Sequence, residues 1–147
     1  MSSLAQPNDP WVVFDYETDM FFGLCGLLPT GNEEYAALPH RVRNAVVESA
    51  LLHCRQLAEI LLSSGTRADD INVNRLIPNC QPARLHEFEQ AYGKQNSVGS
   101  PCWTINKFMA HPTNNRSTSH DYSAVLNQLA PLIADIVNEL RTLAGKP

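Results

Sequence analysis

The sequence lacks any run of about 18 consecutive apolar residues, the length that a membrane-spanning helix needs. Its first ten residues also lack the basic cluster and apolar stretch of a secretory signal peptide. Basic residues are fewer than acidic ones, with 11 Lys and Arg against 15 Asp and Glu, so the formal net charge is −4. We therefore expect a soluble cytoplasmic protein that has no membrane partner and no broad basic surface for gripping duplex DNA.

Cysteine motifs are missing as well. None of the four cysteines, which are Cys25, Cys54, Cys80 and Cys102, belongs to a CxxC pair, so neither a zinc knuckle nor a redox motif is indicated. Cys25 and Cys54 fall within apolar helical patterns, where a buried thiol is the usual interpretation. Because no export signal is found, we expect free thiols rather than disulfides.

Histidine spacing also gives little support to a metal site. A metal-dependent enzyme would have to draw its ligands from His53, His111, His120 and a carboxylate such as Asp70 or Glu48. These histidines form neither an ExxH pair nor a pair four residues apart, the spacings that favour shared ligation on one helix. We expect no metal and no other cofactor.

The 147 residues are 44% apolar and 18% charged, which is typical of one globular domain. Apolar positions recur at helical spacing, and no stretch alternates as a strand does. These patterns predict an all-α fold over residues 1–147, a four- to five-helix antiparallel bundle. A long irregular excursion over residues 66–100, carrying one short helix, should separate the second helix from the penultimate one.

Start and stop signals place the helices within this bundle. The first is expected to follow the capping pair Asp9-Pro10 and to end near Leu28. The second should be the longest and most central, because its apolar band is wide. The predicted helices therefore span residues 10–28, a stretch from 33 or 38 to 63, about 82–92, 101–111, and about 122–143.

The long second helix carries the first group of candidate binding residues, Glu48, His53 and Arg55. His53 shares a helical line with Val46 and Leu57, so it should point inward, either as a core histidine with one hydrogen bond or as part of a site. Glu48 and Arg55 lie on nearly the same face, well away from His53. Another helix must therefore supply a partner if these residues form one site.

The second group of candidates surrounds the end of the penultimate helix. Lys107 and His111 are four residues apart and share a face, and Asn106 adjoins them. Thr113 and Arg116 follow in a polar segment that can fold back over the same place. Such a set of side chains can hold a phosphate and move a proton beside it, whereas the alternative is a solvated helix end with a capping histidine.

This arrangement resembles the HEPN family of all-α proteins, in which an Arg with a polar neighbour precedes a His by four to six residues. Many members are metal-independent ribonucleases or toxin components, often dimers whose two motifs meet. The matching positions are Lys107, preceded by Asn106, and His111. Lys replaces the family's Arg, and an ammonium does not clamp phosphate bidentately, although Arg116 can provide a guanidinium. The stretch 48–55 resembles helical bacterial proteins of the same group.

The resemblance implies a homodimer that cleaves or binds RNA or a nucleotide, as a component of a bacterial defence or toxin–antitoxin system. In a ribonuclease, His111 would be the general acid or base, while Lys107 and Arg116 would stabilise the phosphate. The alternative is a non-catalytic helical module that binds a partner protein, which predicts an exposed apolar patch. The sequence leaves open whether the protein is an enzyme.

Overall fold

The computed structural model describes residues 9–28, 32–63, 70–110 and 122–147, and helices are the only regular elements in these ranges. The predicted all-α class is therefore confirmed. Five helices have eight or more residues and two are single turns of four. In chain order they are α1 (Pro10–Cys25), α2 (Glu33–Ala36), α3 (His40–Leu62), α4 (Val73–Leu76), α5 (Leu85–Tyr92), α6 (Pro101–Ala110) and α7 (Tyr122–Leu143).

Helix α1 begins as its sequence predicts. The Asp9 carboxylate accepts a hydrogen bond of 2.9 Å from the Trp11 amide, and Pro10 takes the first helical position, where no amide hydrogen is needed. Residues three and four apart then form one core-facing stripe. The buried members of this stripe are Trp11, Phe14, Thr18 and Phe21.

The helical conformation is interrupted between α2 and α3 at Pro39. Asn32 caps the single turn of α2 by accepting a hydrogen bond of 3.0 Å from the Tyr35 amide. Proline disfavours the helical conformation of the residue before it, so the helix stops ahead of Leu38 and α3 starts at His40. The two start positions proposed from the sequence thus correspond to two separate helices.

Helix α3 is central, as predicted, because it packs against α1, α4, α5, α6 and α7. Its buried residues all lie between Ala50 and Leu61. By its spacing Val42 continues the inward-facing line of Val46, His53 and Leu57, which predicts a core position, but this prediction is wrong, since Val42 is 43% exposed. The core-facing part of α3 is therefore its second half.

The predicted excursion is more regular than expected, because its described part carries two short helices, α4 and α5. Asn72 caps α4 through a hydrogen bond of 2.9 Å from the Arg75 amide. Phe88 and Tyr92 bury one side of α5, and their rings stack with centroids 5.8 Å apart. The segment therefore contributes to the core instead of looping away from it.

The C-terminal helix α7 closes the bundle against α1 and α5. Arg141 donates a hydrogen bond of 2.7 Å to Asp15, and the Lys146 ammonium lies 4.9 Å from the centre of the Trp11 ring. Arg141 thus meets Asp15, whereas Lys146, which follows α7, meets the earlier residue Trp11, so α1 and α7 are antiparallel. At the other face, Arg84 pairs with Asp135.

All four cysteines are free thiols, in agreement with the sequence prediction. Burial raises the pKa of Cys25 to about 11, and burial together with the Cys25 thiol raises that of Cys54 still further. Both thiols therefore stay protonated at neutral pH and act as small apolar groups. Among the described helices, none combines the length and the apolar character required to cross a bilayer.

Candidate functional site

A cleft of about 590 Å³ opens beside the second half of α3, and we call it the α3 cleft. The cleft is lined by α1, α3, the segment before α4, the end of α5 with the loop after it, and α6. A pocket of this size with several convergent polar groups is the default site for a ligand. Its polar and ionisable lining residues are Glu17, Arg55, Gln56, Glu59, Ser63, Asp70, Tyr92, Gln95, Cys102 and Asn106.

Glu17 is the most firmly held carboxylate in this lining. Its Oε2 atom lies 2.5 Å from Nδ1 of His53, and the side chains of Glu17 and His53 are only 13% and 8% exposed. Because an ionised carboxylate can only accept, the imidazole carries its hydrogen on Nδ1 in this pair. The Tyr16 ring meets His53 edge-on, with centroids 5.8 Å apart. Glu17 therefore lines the cleft with one carboxylate oxygen fixed by His53.

Arg55 is the cleft's cation. It pairs with Glu59 one turn later at 3.5 Å, the i,i+4 geometry of a helix surface. Both side chains are well exposed, at 36% and 61%, so the pair adds little to stability. Its role here is to place a guanidinium and a carboxylate side by side at the cleft edge.

Tyr92 and Cys102 form a buried corner of the same cleft. Burial raises the pKa of the Tyr92 phenol, the Cys102 and Cys54 thiols and a hydrogen bond with Cys102 raise it further, and the Arg55 guanidinium opposes them. The Asn106 side-chain amide donates a hydrogen bond from Nδ2 to the Cys102 sulfur, 3.5 Å away. The phenol thus remains a neutral hydroxyl at physiological pH.

The position of α6 in this cleft follows from its start signal. Ser100 caps the helix by accepting a hydrogen bond of 3.1 Å from the Trp103 amide, and Pro101 occupies the first helical position. The Ser100 hydroxyl also donates to the Lys94 carbonyl at 3.1 Å. The loop after α5 therefore sets the register that brings Cys102 and Asn106 to face α3.

Charge in the cleft is predominantly negative. The described lining contains the carboxylates of Glu17, Glu59 and Asp70 and one guanidinium, that of Arg55. A cleft with more carboxylates than cations raises the local concentration of cations and repels phosphate. This distribution differs from the phosphate-holding cluster that the sequence suggested around Lys107.

The structure unites some of the residues predicted from sequence and separates others. Arg55 and Asn106 line the same cleft although they come from different helices. His53 is buried behind Glu17, so its inward orientation is confirmed. Lys107 lies over the Trp103 ring at 5.4 Å and does not line the cleft. Glu48 is exposed on α3, outside the cleft.

The remaining candidates, His111, Thr113 and Arg116, lie outside the described residues. Their proposed roles stay predictions. The metal-ligand set considered from sequence is affected in the same way, because His111 and His120 belong to that segment. Within the ranges that the structure does describe, no group of three or more His, Cys, Asp or Glu side chains is placed to hold a metal ion.

Sequence reasoning missed Glu17, Tyr92 and Cys102 as members of the site. Phe14 precedes Glu17 by three residues, and Phe21 follows it by four. That spacing places Glu17 at the border of the buried face, which was the available signal. Tyr92 and Cys102 were assigned to no site because nothing in their spacing brings them together.

An exposed apolar stripe lies on α1 next to the cleft. Val12, Val13 and Tyr16 are 49%, 42% and 56% exposed and lie within little more than one helical turn. The hypothesis of a protein-interaction module predicts a patch of this kind. Its partner, if any, stays a prediction.

Comparison with protein-family models, curated proteins and solved structures finds no match to this chain.

Proposed function

We propose that this chain binds a small polar molecule in the α3 cleft. The observation that carries the proposal is the convergence of a fixed carboxylate, a guanidinium, a neutral phenol and an amide from four helices. These groups are Glu17, Arg55, Tyr92 and Asn106, and all line one cleft of about 590 Å³. Clefts of roughly 300–1,000 Å³ with a few fixed polar groups are typical of small-molecule sites.

The side chains of the α3 cleft favour the binding of a small molecule over the binding of duplex DNA or RNA. Phosphate backbones are gripped by clustered Lys and Arg side chains. The described cleft lining offers only Arg55, which already pairs with Glu59 at 3.5 Å. The amides of Gln56, Gln95 and Asn106 can both donate and accept, so they suit a compact ligand with hydrogen-bonding edges.

Ligand screening by two-dimensional NMR tests this proposal. We expect a library of polar fragments to contain compounds that shift the amide signals of cleft residues such as Tyr92 and Asn106. Asn106→Ala should weaken the binding of those compounds by about three- to tenfold, the effect of losing one hydrogen bond. The matched control is Asn127→Ala, because Asn127 is an exposed amide on α7. If binding compounds shift only signals outside the cleft, the proposal is wrong.

RNA binding is a second candidate, favoured by one observation on α6. The Lys107 ammonium lies 5.4 Å from the centre of the Trp103 ring, and the ring is only partly buried. An aromatic face beside a cation is the combination that binds bases and phosphates of single-stranded nucleic acids. This surface also contains one residue of the HEPN-like motif, Lys107.

Filter binding of a short single-stranded RNA tests the second candidate. Lys107→Ala should weaken binding and lower the salt-dependence slope by about 0.7, the contribution of one phosphate contact. Lys146→Ala is the matched control, since the Lys146 ammonium also lies over a tryptophan ring, 4.9 Å from the centre of Trp11, and belongs to neither α6 nor the HEPN-like motif. If both changes weaken RNA binding equally, the Lys107 effect reflects the overall charge of the protein and not a binding site on α6. Cleavage by the wild type but not by His111→Ala would extend this candidate to a ribonuclease.

A further inference from the structure

We propose that a second copy of this chain binds the outer face of α1, so that the protein forms a two-fold symmetric dimer through this helix. We call this face the outer stripe of α1, and it consists of Val12, Val13, Tyr16 and Met20. The proposal is independent of whether the α3 cleft binds a ligand. It depends on two features of α1: the apolar character of both of its sides and the order of the charges along one edge of the stripe.

Helix α1 presents large apolar side chains on two opposite sides. Phe14 and Thr18 are buried in the core, and Tyr16 and Met20 each follow one of them by two residues. Each residue of a helix turns the chain by about 100°, so residues two apart point to nearly opposite sides. A surface helix normally carries polar residues on its outer side, whereas a helix that is apolar all round is typically buried. The outer stripe therefore has the composition of a covered surface.

This covered composition contrasts with the exposure of the stripe in a single chain. Val12, Val13 and Tyr16 are among the exposed large apolar side chains of the described residues. The helices that pack against α1 include α3 and α7, and they cover its core-facing side. Single exposed apolar residues are normal on a protein surface, but a contiguous group of them marks an interaction site.

The charges along one edge of the stripe indicate which partner fits. Positions 11, 15 and 19 are four residues apart and therefore form one line along α1. At the first position, the Lys146 ammonium lies 4.9 Å from the centre of the Trp11 ring. Asp15 pairs with Arg141 at 2.7 Å, and Asp19 is exposed. The line therefore carries a positive charge at its beginning, a paired centre and a negative charge at its end.

Such a line is complementary to itself when a second copy lies antiparallel beside it. A two-fold axis at the middle of the line reverses the helix direction, so position 11 of one copy meets position 19 of the other. Lys146 then lies near the partner subunit's Asp19, and the two outer stripes meet between these opposite charges. A purely basic partner would be repelled by Lys146 and a purely acidic one by Asp19. The mixed edge therefore favours a second copy over a partner of one charge sign.

The stripe also indicates how strong the dimer should be. Obligate dimers bury more than about 2,000 Å² of total surface, and four side chains on one helix provide a much smaller contact. We therefore expect a dimer in equilibrium with the monomer. The interface lies on α1, whereas Lys107 belongs to α6, so the dimer does not use the HEPN-like motif.

Sedimentation velocity over about a hundredfold range of protein concentration tests the proposal, because mass action increases the dimer fraction with concentration. We expect the full wild-type chain to shift from monomer to dimer. Val12→Asp should weaken dimerisation by about tenfold or more, since it places a charge in the apolar contact. Val12 is chosen because Val13 also lines the α3 cleft. Val98→Asp is the matched control and should leave dimerisation unchanged, because Val98 is 82% exposed in the loop after α5.

A charge exchange tests the antiparallel arrangement. Asp19→Lys and Lys146→Glu should each weaken the dimer by about three- to tenfold, because each places like charges opposite one another. The double variant should recover most of the wild-type affinity, since it restores opposite charges in exchanged positions. Val12 and Asp19 are exposed, so we expect the variants to fold, and circular dichroism checks this.

Three results would overturn the proposal. The first is a wild-type protein that stays monomeric over the whole concentration range. The second is a dimer that Val12→Asp leaves intact, or that Val98→Asp weakens to the same extent. The third is a double exchange variant that does not recover the affinity lost in the single variants, because the charged edge would then not select an antiparallel second copy. None of these results depends on ligand binding in the α3 cleft.

Discussion

Replacing His53 by alanine should lower the free energy of unfolding by about 3 kcal/mol, because it removes one partner of a buried, hydrogen-bonded pair. The Glu17 carboxylate, 13% exposed, would keep its charge but lose its partner at 2.5 Å. The missing imidazole also leaves a cavity between α1 and α3. Urea denaturation followed by circular dichroism measures the change.

The control for this prediction is His86→Ala, since His86 is an exposed histidine on α5. It should change the free energy of unfolding by no more than about 0.5 kcal/mol. The Glu17→Gln variant completes the comparison, because glutamine can still accept a hydrogen bond from Nδ1 and should be less destabilising than His53→Ala. A His53→Ala protein with the urea midpoint of the wild type would show that the pair does not stabilise the fold.

Replacing Gly93 by alanine should cost about 3 kcal/mol of stability, through backbone strain and a steric clash together. Gly93 ends α5 with φ 75° and ψ −163°, a conformation that is essentially restricted to glycine. An added Cβ would lie 2.6 Å from the Cβ of Ser100, far inside contact distance. Displacing Ser100 would also disturb its cap on α6.

Gly23→Ala is the matched control on α1. An added Cβ at Gly23 meets no atom within 4 Å, and its helical backbone suits alanine. This change should raise stability by about 0.5–1 kcal/mol, because alanine has the higher helix propensity. Thermal unfolding of both variants gives the comparison, and equal melting temperatures would show that the loop after α5 relaxes around the new methyl group.

Local signals explain why the helices were largely predictable. The Asp9-Pro10 and Ser100-Pro101 pairs cap α1 and α6 by the hydrogen bonds that their sequences indicate. The stripe of α1 follows from spacing alone, since a helix brings residues three and four apart onto one face. Val42 shows the limit of this reasoning: its spacing resembles that of a core residue, but only neighbouring helices determine whether a position is covered.

The candidate site was less predictable because it depends on contacts between distant segments. Glu17 and His53 are separated by 36 residues, and no feature of either segment identifies the other. Arg55 and Asn106 were each selected for their chemistry, but the cleft that unites them arises from the packing of α3 against α6. Tyr92 joins them because α5 packs against α3; the sequence predicted a helix over about 82–92 but not which helix it packs against.

The antiparallel contact between α1 and α7 has a consequence for biosynthesis. Arg141 and Asp15 are separated by 126 residues, so their ion pair forms only after nearly the whole described chain has been translated. Until α7 emerges from the ribosome, α1 is covered by α3 but lacks the part of its cover that α7 provides. The part of α1 that α7 covers therefore stays exposed until late in synthesis, and a ribosome-associated chaperone can bind it before α7 does.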